Sequence, residues 1–171
     1  MPILPFERSY WVIPGKLIAG ELPAALDKAE STRKLQGLVQ VGVKVVINLM
    51  EATETNRAGE PFDDYSAYLK QYGVETHRLP IVDVRIPTRQ RMTEILELID
   101  SSIAQNKTVY VHCWGGIGRT GTVVGCFLKR HGYASNENVF DYIEYLKRTT
   151  SIANVMSPQT IEQEDFVLNW K

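Results

Sequence analysis

The spacing of apolar residues changes repeatedly along the chain between the period of a helix and that of a strand. Between 90 and 105, apolar residues recur every three or four positions, which predicts an amphipathic helix. The segments 43–50 and 108–112 are instead short runs rich in β-branched residues, and such runs predict buried strands. Because the two kinds of segment alternate, we expect an α/β domain with a central, mostly parallel, twisted sheet flanked by helices.

The other segments follow the same two patterns. Further predicted strands lie at 10–13, 16–19 and 74–81, and further predicted helices at 31–41, 63–72, 120–131, 139–146 and 157–170. Pro14-Gly15 joins the first two strands in a hairpin, and Ser31 is the predicted cap of the first helix. The polar stretch 51–61 has no period and predicts an exposed loop. No repeat or linker divides the chain, so we expect one domain over residues 1–171.

Composition narrows the possible partners. The chain is 44% hydrophobic and 23% charged, as in ordinary globular proteins, and its net charge is only -1. No general field therefore attracts nucleic acid or an anionic membrane, and any anion must bind at a local site. The sequence leaves the oligomeric state open.

Cysteine content and the start of the chain bear on location. Cys113 and Cys126 are too few for a disulfide scaffold and favour a reducing compartment. The first residues lack the basic and apolar stretches of a secretory signal. No apolar run approaches the roughly 20 residues needed to cross a bilayer. We therefore expect a cytoplasmic protein that does not insert into membranes.

The segment with the most chemical content is 111–121, Val-His-Cys-Trp-Gly-Gly-Ile-Gly-Arg-Thr-Gly. It leaves a predicted strand and enters a predicted helix, which directs several backbone N–H groups and the positive end of a helix dipole at one point. Gly115, Gly116 and Gly118 allow the backbone to curl closely around an anion. Arg119 adds a planar guanidinium that binds two phosphate oxygens together.

Cys113 lies at the mouth of the same predicted cradle. The field that attracts a phosphate also favours thiolate over thiol. One structure is therefore expected to bind a phosphate dianion and to activate the sulfur that attacks it. Cys126 lies on the apolar face of the following helix, where we expect it to pack in the core.

Four blocks of the sequence resemble, in the same order, those of the cysteine-based protein tyrosine and dual-specificity phosphatase superfamily. They are Trp11-Val12-x-Pro14-Gly15-x-Leu17-x-Ala19-Gly20-x-x-Pro23, Leu79-Pro80-Ile81-Val82-Asp83, His112-Cys113-x5-Arg119-Thr120-Gly121 and Pro158-Gln159-Thr160-x-x-Gln163. The blocks span nearly the whole chain. The chain most resembles the small atypical dual-specificity group that includes the cyclin-dependent kinase-associated phosphatase. Trp114 departs from the small or polar residues common at its position, so the sequence does not define the shape of the pocket.

The resemblance implies roles for the matched loop. Cys113 attacks phosphorus and forms a phosphocysteine intermediate. Arg119 and the loop amides bind the phosphoryl oxygens. The loop residues concerned are Trp114, Gly115, Gly116, Ile117 and Gly118. Thr120 stabilises the departing thiolate, and His112 supports the thiolate through hydrogen bonds beneath the loop.

The resemblance also implies roles outside the loop. Asp83 protonates the leaving oxygen and then activates water. Gln159 and Gln163 fall where the family positions the hydrolytic water, with neither preferred. No metal ion or other cofactor is implied.

These residues also have plainer interpretations. A loop aspartate such as Asp83 often only caps or turns the chain. Asp63 and Asp64 compete with it for the role of acid, but they stand at a predicted helix start, where capping accounts for them. Gln159 and Gln163 are four residues apart and share one face of the predicted helix. Their plainer interpretation is that this face is exposed to solvent and has no role in the site.

Substrate class is predicted from what the sequence lacks. A chain of 171 residues has little room for the extra loops that deepen the pocket of tyrosine-specific members, so a shallow pocket for phosphotyrosine, phosphoserine and phosphothreonine is expected. Lipid- and inositol-phosphate phosphatases resemble one another in placing lysines within the loop, whereas this loop has Trp114 and Ile117. We therefore expect a phosphorylated protein or peptide as the substrate.

Other functions stay open at this stage. Arg85, Arg89 and Arg91 form either a basic rim for an acidic phosphopeptide or a solvated run of charge. A basic rim would also suit an inositol polyphosphate or a phosphoinositide. A non-catalytic phosphoresidue-binding module is disfavoured because the nucleophile, the arginine and the acid are all present. Sulfur-transfer and arsenate-reducing enzymes differ in the length or the position of the loop.

Overall fold

The computed structural model describes residues 3–171, in which strands and helices alternate. The strands are β1 (Ser9–Ile13), β2 (Leu17–Gly20), β3 (Val43–Asn48), β4 (Glu75–Arg78) and β5 (Thr108–His112). The helices are α1 (Lys28–Gln40), α2 (Ser66–Lys70), α3 (Arg89–Ala104), α4 (Gly118–Arg130), α5 (Val139–Lys147) and α6 (Ile161–Leu168). The predicted α/β class is confirmed.

The strands form one sheet in the order β1-β2-β5-β3-β4. β1 is antiparallel to β2, and the other three pairs are parallel. His112, the last residue of β5, pairs with Gly20 at the end of β2 and with Asn48 at the end of β3. The carboxyl ends of three strands therefore meet in one row, and open parallel sheets bind their ligands at such an edge.

Helices cover both faces of the sheet. Along β5 the side chains alternate, so that Val109 and Val111 join one apolar cluster and Tyr110 joins the other. The first cluster contains buried residues of α3, α4, α5 and α6, and the second contains those of α1 and α2. β5 is thus buried on both sides, which fits its continuous apolar sequence.

Most element boundaries agree with the sequence, and the main differences are at α1, α2, β4 and the final helix. α1 begins earlier because Asp27, not Ser31, accepts the N-terminal N–H of Glu30 at 2.7 Å. α2 is shorter than 63–72 because the Asp64 carboxylate takes the Ser66 N–H and holds a turn before the helix. The final helix begins only at Ile161, after Thr160 as its cap.

The segment after β4 brings the predicted acid towards the row of strand ends. The strand predicted over 74–81 is regular only to Arg78, since Pro80 has no N–H and a fixed φ. The chain nevertheless continues beside β3, where Leu79 and Ile81 donate to backbone carbonyls at 3.0 and 2.9 Å. Asp83 follows two residues later.

Among the helices within residues 3–171, none is both long and apolar enough to span a bilayer.

Candidate active site

The loop from Cys113 to Ile117 joins β5 to α4 and lies at the row of strand ends. Gly116 turns it with a φ of 74°, a conformation that residues with a Cβ rarely adopt. A Cβ at Gly116 would lie 2.5 Å from the carbonyl carbon of Gly20. The loop therefore curls against the end of β2 because glycine stands at this position.

Arg119, in the first turn of α4, is fully surrounded by acceptors. Its Nη1 and Nη2 donate to the two carboxylate oxygens of Glu54 at 2.5 and 3.0 Å. Nη1 also donates to the Ile81 carbonyl at 3.0 Å, and Nη2 lies 2.9 Å from Oδ1 of Asp83. Burial alone lowers the pKa of the guanidinium, but its contacts with Glu54 and the nearby acidic groups hold that pKa above its ordinary value. Arg119 is therefore a fixed, permanently charged group.

Glu54 is one of the site residues that the sequence did not indicate. It belongs to the stretch 51–61, which is mostly exposed as predicted, yet only 13% of its own side chain is exposed. Its Oε1 also accepts the backbone N–H of Glu51 at 2.7 Å. The signal that points to it is Arg119 itself, because a buried cation requires a carboxylate partner. Four other acids between 51 and 64 satisfy that signal equally well.

Asp83 lies in the same pocket as Cys113 and Arg119. Its side chain is 52% exposed, so it contacts Arg119 from the solvent side, opposite the more buried Glu54. Val84, the next residue, has a φ of 55°, a left-handed conformation that is uncommon for a β-branched residue. The backbone is thus sharply turned directly after the predicted acid.

The competing acids lie elsewhere. Asp63 and Asp64 line a cavity of about 340 Å³ next to the loop after β3, and they do not line the pocket of Cys113. Hydrogen bonds from Ser66 lower the pKa of Asp64, whose carboxylate holds the turn before α2. The predicted capping role is wrong, because Tyr65 is the N-cap residue and, within residues 3–171, its side chain makes no capping hydrogen bond. Of the three candidate acids, Asp83 is the one that contacts Arg119.

His112 is buried beneath the loop and holds it from below. Burial lowers its pKa to about 4, so the imidazole is neutral at physiological pH. Nδ1 lies 2.9 Å from the Cys113 carbonyl, which only accepts, so Nδ1 carries the proton. Nε2 then accepts the hydrogen bond of the Tyr65 hydroxyl at 2.5 Å. Sequence reasoning did not assign Tyr65 to the site.

Thr120 and Cys126 occupy the buried face of α4. The Thr120 hydroxyl has no hydrogen-bond partner among residues 3–171, which leaves it free to donate towards the loop. Cys126 is fully buried, and burial raises the pKa of its thiol well above the ordinary value. Its predicted place in the core is confirmed, and its thiol is inert beside the solvent-facing pocket.

The two predicted glutamines have different surroundings. Gln159 lines the pocket, and its Oε1 lies 2.6 Å from the position that a Cβ on Gly118 would take. Gln163 is buried rather than solvent-facing. Its Oε1 accepts the Gln159 N–H and its Nε2 donates to the Arg85 carbonyl, each at 3.2 Å. Gln163 therefore connects α6 to the segment of Asp83, while Gln159 reaches the pocket itself.

The pocket around Cys113 has a volume of about 470 Å³ and a rim that differs from the predicted one. Its lining includes Trp114, Gly115, Ile117 and Gly118 from the loop. The rim cations are Arg8 and Arg57, and Arg8 is paired with Glu21 at 2.8 Å.

The arginines named from the sequence lie away from that rim. Arg89 stacks on Trp170, with its guanidinium carbon 5.0 Å from the ring centroid. Arg91 pairs with Glu94 at 2.7 Å, and Arg85 does not line the pocket. Arg85 lies 3.9 Å from Glu162 instead, so the side chains of the three arginines contact other groups and do not line the pocket.

Comparison with known proteins places the chain among phosphatases. The family model described as "Polymorphic toxin system, DSP-PTPase phosphatase" matches residues 24–133. Cyclin-dependent kinase inhibitor 3 of Sus scrofa is 31% identical over 98 residues, which cover 57% of this chain and 43% of that protein. The chain thus aligns with less than half of that relative's length.

Two solved structures share the fold over nearly the whole chain. Kinase associated phosphatase, with its catalytic-site cysteine replaced by serine, superposes with a TM-score of 0.76 at 20% identity, covering 98% of this chain and 94% of that one. PTPMT1 in complex with PI(5)P superposes with a TM-score of 0.68 at 25% identity, covering 94% of each chain.

Proposed function

The chain belongs to the dual-specificity protein phosphatase (DSP-PTPase) family, and on that premise we propose that it hydrolyses phosphomonoesters on proteins without a metal ion. The observation that carries the proposal is the meeting of Cys113, Arg119 and Asp83 in one pocket at the carboxyl end of the sheet. The proposal treats residues 1–171 as one phosphatase domain that acts in the cytoplasm.

The first step is transfer of the phosphoryl group to sulfur. The Cys113 thiolate attacks phosphorus in line with the ester oxygen, so the S–P bond forms as the P–O bond breaks. Asp83 gives its proton to the departing oxygen, which leaves as a serine, threonine or tyrosine hydroxyl. The loop amides and Arg119 stabilise the charge on the phosphoryl oxygens.

The second step releases phosphate. Water attacks the phosphocysteine, its proton passes to the Asp83 carboxylate, and the S–P bond breaks to regenerate the thiolate. Gln159 is the proposed water-positioning residue, because it lines the pocket while the amide of Gln163 is engaged by backbone groups. The free Thr120 hydroxyl is proposed to donate to the thiolate as it leaves.

Arg119 and Asp83 are proposed to exchange partners when substrate binds. Asp83 occupies Nη2 of Arg119 from the exposed side, whereas Glu54 holds the guanidinium from the buried side. An incoming phosphate competes with Asp83 rather than with Glu54, since the exposed carboxylate loses less when it returns to water. Once released from Arg119, the exposed Asp83 carboxylate takes up a proton from solvent, and this is the proton that it gives to the leaving oxygen.

A phosphoinositide or an inositol polyphosphate is the second candidate substrate. It is favoured by the fold shared with PTPMT1, which was solved with PI(5)P, and by the rim cations Arg8 and Arg57. The Glu21 carboxylate pairs with both Arg8 and Lys34, however, and Arg57 is the other cation on the rim, so few uncompensated cations are available for a multiply phosphorylated headgroup. We therefore favour a phosphorylated protein, with phosphotyrosine and phosphoserine or phosphothreonine all admitted.

The activity is tested with para-nitrophenyl phosphate in the presence of a chelator. The parent protein and Cys126→Ser should turn over this substrate, while Cys113→Ser should bind phosphate but show no turnover. Retained activity in pure Cys113→Ser, or none in the parent, would contradict the proposal. A panel of phosphopeptides and phosphoinositides then separates the two substrate classes. Hydrolysis of any phosphoinositide with a higher kcat/KM than the best phosphopeptide would refute the preference for protein.

A further inference from the structure

A second depression of about 600 Å³ lies beside the catalytic pocket, and we call it the Trp114 groove. Trp114, Phe62 and the buried Leu22 line its apolar interior. Leu26 also lines it, and this side chain is 77% exposed. Leu26 therefore extends the apolar lining of the groove to its solvent-exposed edge.

The groove adjoins the catalytic pocket. Trp114 directly follows Cys113, and both Trp114 and Arg57 line the two depressions. The Trp114 carbonyl accepts the Leu22 N–H at 2.9 Å, and its ring meets Phe62 edge-on with centroids 5.4 Å apart. The wall between the depressions is therefore fixed, and a group in the groove lies next to a phosphoryl group bound at Cys113.

The opposite wall is also formed in advance. It belongs to the loop after β3, where the Asn56 side-chain oxygen accepts the N–H groups of Ala58 and Glu60 at 2.9 and 3.0 Å. Asn56 Nδ2 donates to the Glu60 carboxylate at 3.0 Å. A wall held by these bonds does not need to be ordered on binding, which favours affinity.

Charge selects among possible occupants. At the edge of the groove Lys28 and Arg57 are balanced by Glu60 and Asp63, so no net field attracts a second phosphate there. The neighbouring catalytic mouth is polar, with Arg8, Glu21 and Gln159 in its lining. The apolar lining of the groove, from Leu22, Phe62 and Trp114, is bordered by these charged and polar groups. The geometry suits a single apolar side chain.

We propose that the Trp114 groove binds one apolar side chain of the phosphorylated protein, close in sequence to the phosphoresidue. This inference rests on the phosphatase activity proposed above and names a specificity determinant for it. Because an apolar contact of this size changes kcat/KM by about 10- to 200-fold, we expect roughly tenfold selectivity from a partly open groove.

The test uses phosphotyrosine peptides in which one leucine is moved through the positions around the phosphoresidue in a serine background. One position should raise kcat/KM about tenfold over the all-serine peptide. Leu26→Ser should reduce that ratio towards one, whereas Ile161→Ser should leave it unchanged. Ile161 is the matched control, because it is equally exposed and lines neither depression.

Para-nitrophenyl phosphate is too short to reach the groove when its phosphoryl group is bound at Cys113. It therefore distinguishes failure of the groove assignment from failure of the proposed phosphatase activity. If this compound is hydrolysed but leucine at no position raises kcat/KM above that of the all-serine peptide, the groove assignment is overturned and the phosphatase activity stands. If it is not hydrolysed, the activity fails and the groove assignment with it. Leu26→Ser could also slow hydrolysis of a short-chain phosphoinositide while leaving the ratio of kcat/KM between the leucine and all-serine peptides unchanged. That result would show that the groove binds lipid and would overturn the inference.

Discussion

The interactions of the Arg119 guanidinium differ with the exposure of the two carboxylates that contact it. Two carboxylates share its guanidinium, and they differ in exposure: 13% of the Glu54 side chain is exposed and 52% of the Asp83 side chain. A buried partner is costly to remove, because it leaves an uncompensated charge, while an exposed partner is easily replaced by water or by a ligand. The same arginine therefore has one permanent and one exchangeable partner.

Asp83→Asn tests the exchangeable partner. A general acid contributes about 100- to 10,000-fold when the leaving group is a poor one. We expect a loss of that size in kcat for phosphoserine and phosphothreonine peptides, and a much smaller loss for para-nitrophenyl phosphate. Inorganic phosphate should inhibit the variant more strongly, because the amide competes less well for Arg119.

Asp64→Asn is the matched control for that experiment, since Asp64 lines a different cavity and neither the catalytic pocket nor the Trp114 groove. It should leave the ratio of the two activities at the parent value. If Asp83→Asn slows all substrates equally, Asp83 is a structural residue and the acid must be sought elsewhere.

At the scale of elements, the segments that follow β2, β3, β4 and β5 meet at one row of strand ends, and Gln159 joins them from the segment before α6. The loop after β5 supplies Cys113, and the loop after β3 supplies Glu54. The second loop is long and polar, yet Asn56 organises its tip through hydrogen bonds to Ala58 and Glu60. We infer that its function is to hold Arg119 in the orientation that the phosphate requires.

Glu54→Gln tests this role of the loop. The substitution keeps the shape of the side chain but removes the charge that balances the buried Arg119. Breaking a buried pair costs on the order of 3 kcal/mol in the free energy of unfolding, measured by denaturant titration. A misplaced guanidinium should also lower kcat/KM by about 100-fold.

Glu60→Gln is the control in the same loop. Glu60 is exposed, so its replacement should change the free energy of unfolding by no more than about 0.5 kcal/mol. Equal effects of the two substitutions would show that the loop, and not the pair with Arg119, is responsible.

The sequence predicted those parts of the site that are local in the chain. The strand, the glycine-rich loop and the helix from 108 to 130 follow one another in the chain, so the sequence predicts them without knowledge of the fold. Glu54 and Tyr65 are 65 and 47 residues from the partners they bind, Arg119 and His112. Several neighbouring acids are equally polar, and only the packing of the loops selects one of them.

The predicted basic rim shows the same limit. A run of arginines is visible in the sequence, but the direction of each side chain depends on where α3 begins. The rim cations instead come from Arg8, before β1, and Arg57, in the loop after β3. Only the order of the strands brings these two segments together.

For the whole molecule, His112 predicts how stability depends on pH. Its pKa is about 4 in the folded protein because of burial, and about 6.5 in the unfolded chain. Between these values the unfolded chain binds a proton that the folded protein does not. The stability present above about pH 6.5 is therefore lost progressively down to about pH 4, by about 3 kcal/mol in total.

Denaturant titrations between pH 7 and pH 4 measure this loss. His112→Asn should remove that part of the slope, whatever its effect on stability at pH 7. His77→Asn is the control, because His77 lies at the exposed edge strand and its loss should preserve the slope. An unchanged slope in His112→Asn would mean that other groups cause the acid sensitivity.

The central claim is that Cys113 carries the phosphoryl group between the two steps. The most direct measurement mixes the protein with a phosphotyrosine peptide, stops the reaction by rapid denaturation, and locates the phosphoryl group by mass spectrometry of the digested chain. The account predicts one phosphoryl group on Cys113, also present in Cys126→Ser and absent in Cys113→Ser. A phosphoryl group on any other residue, or turnover without a phosphorylated Cys113, would contradict it.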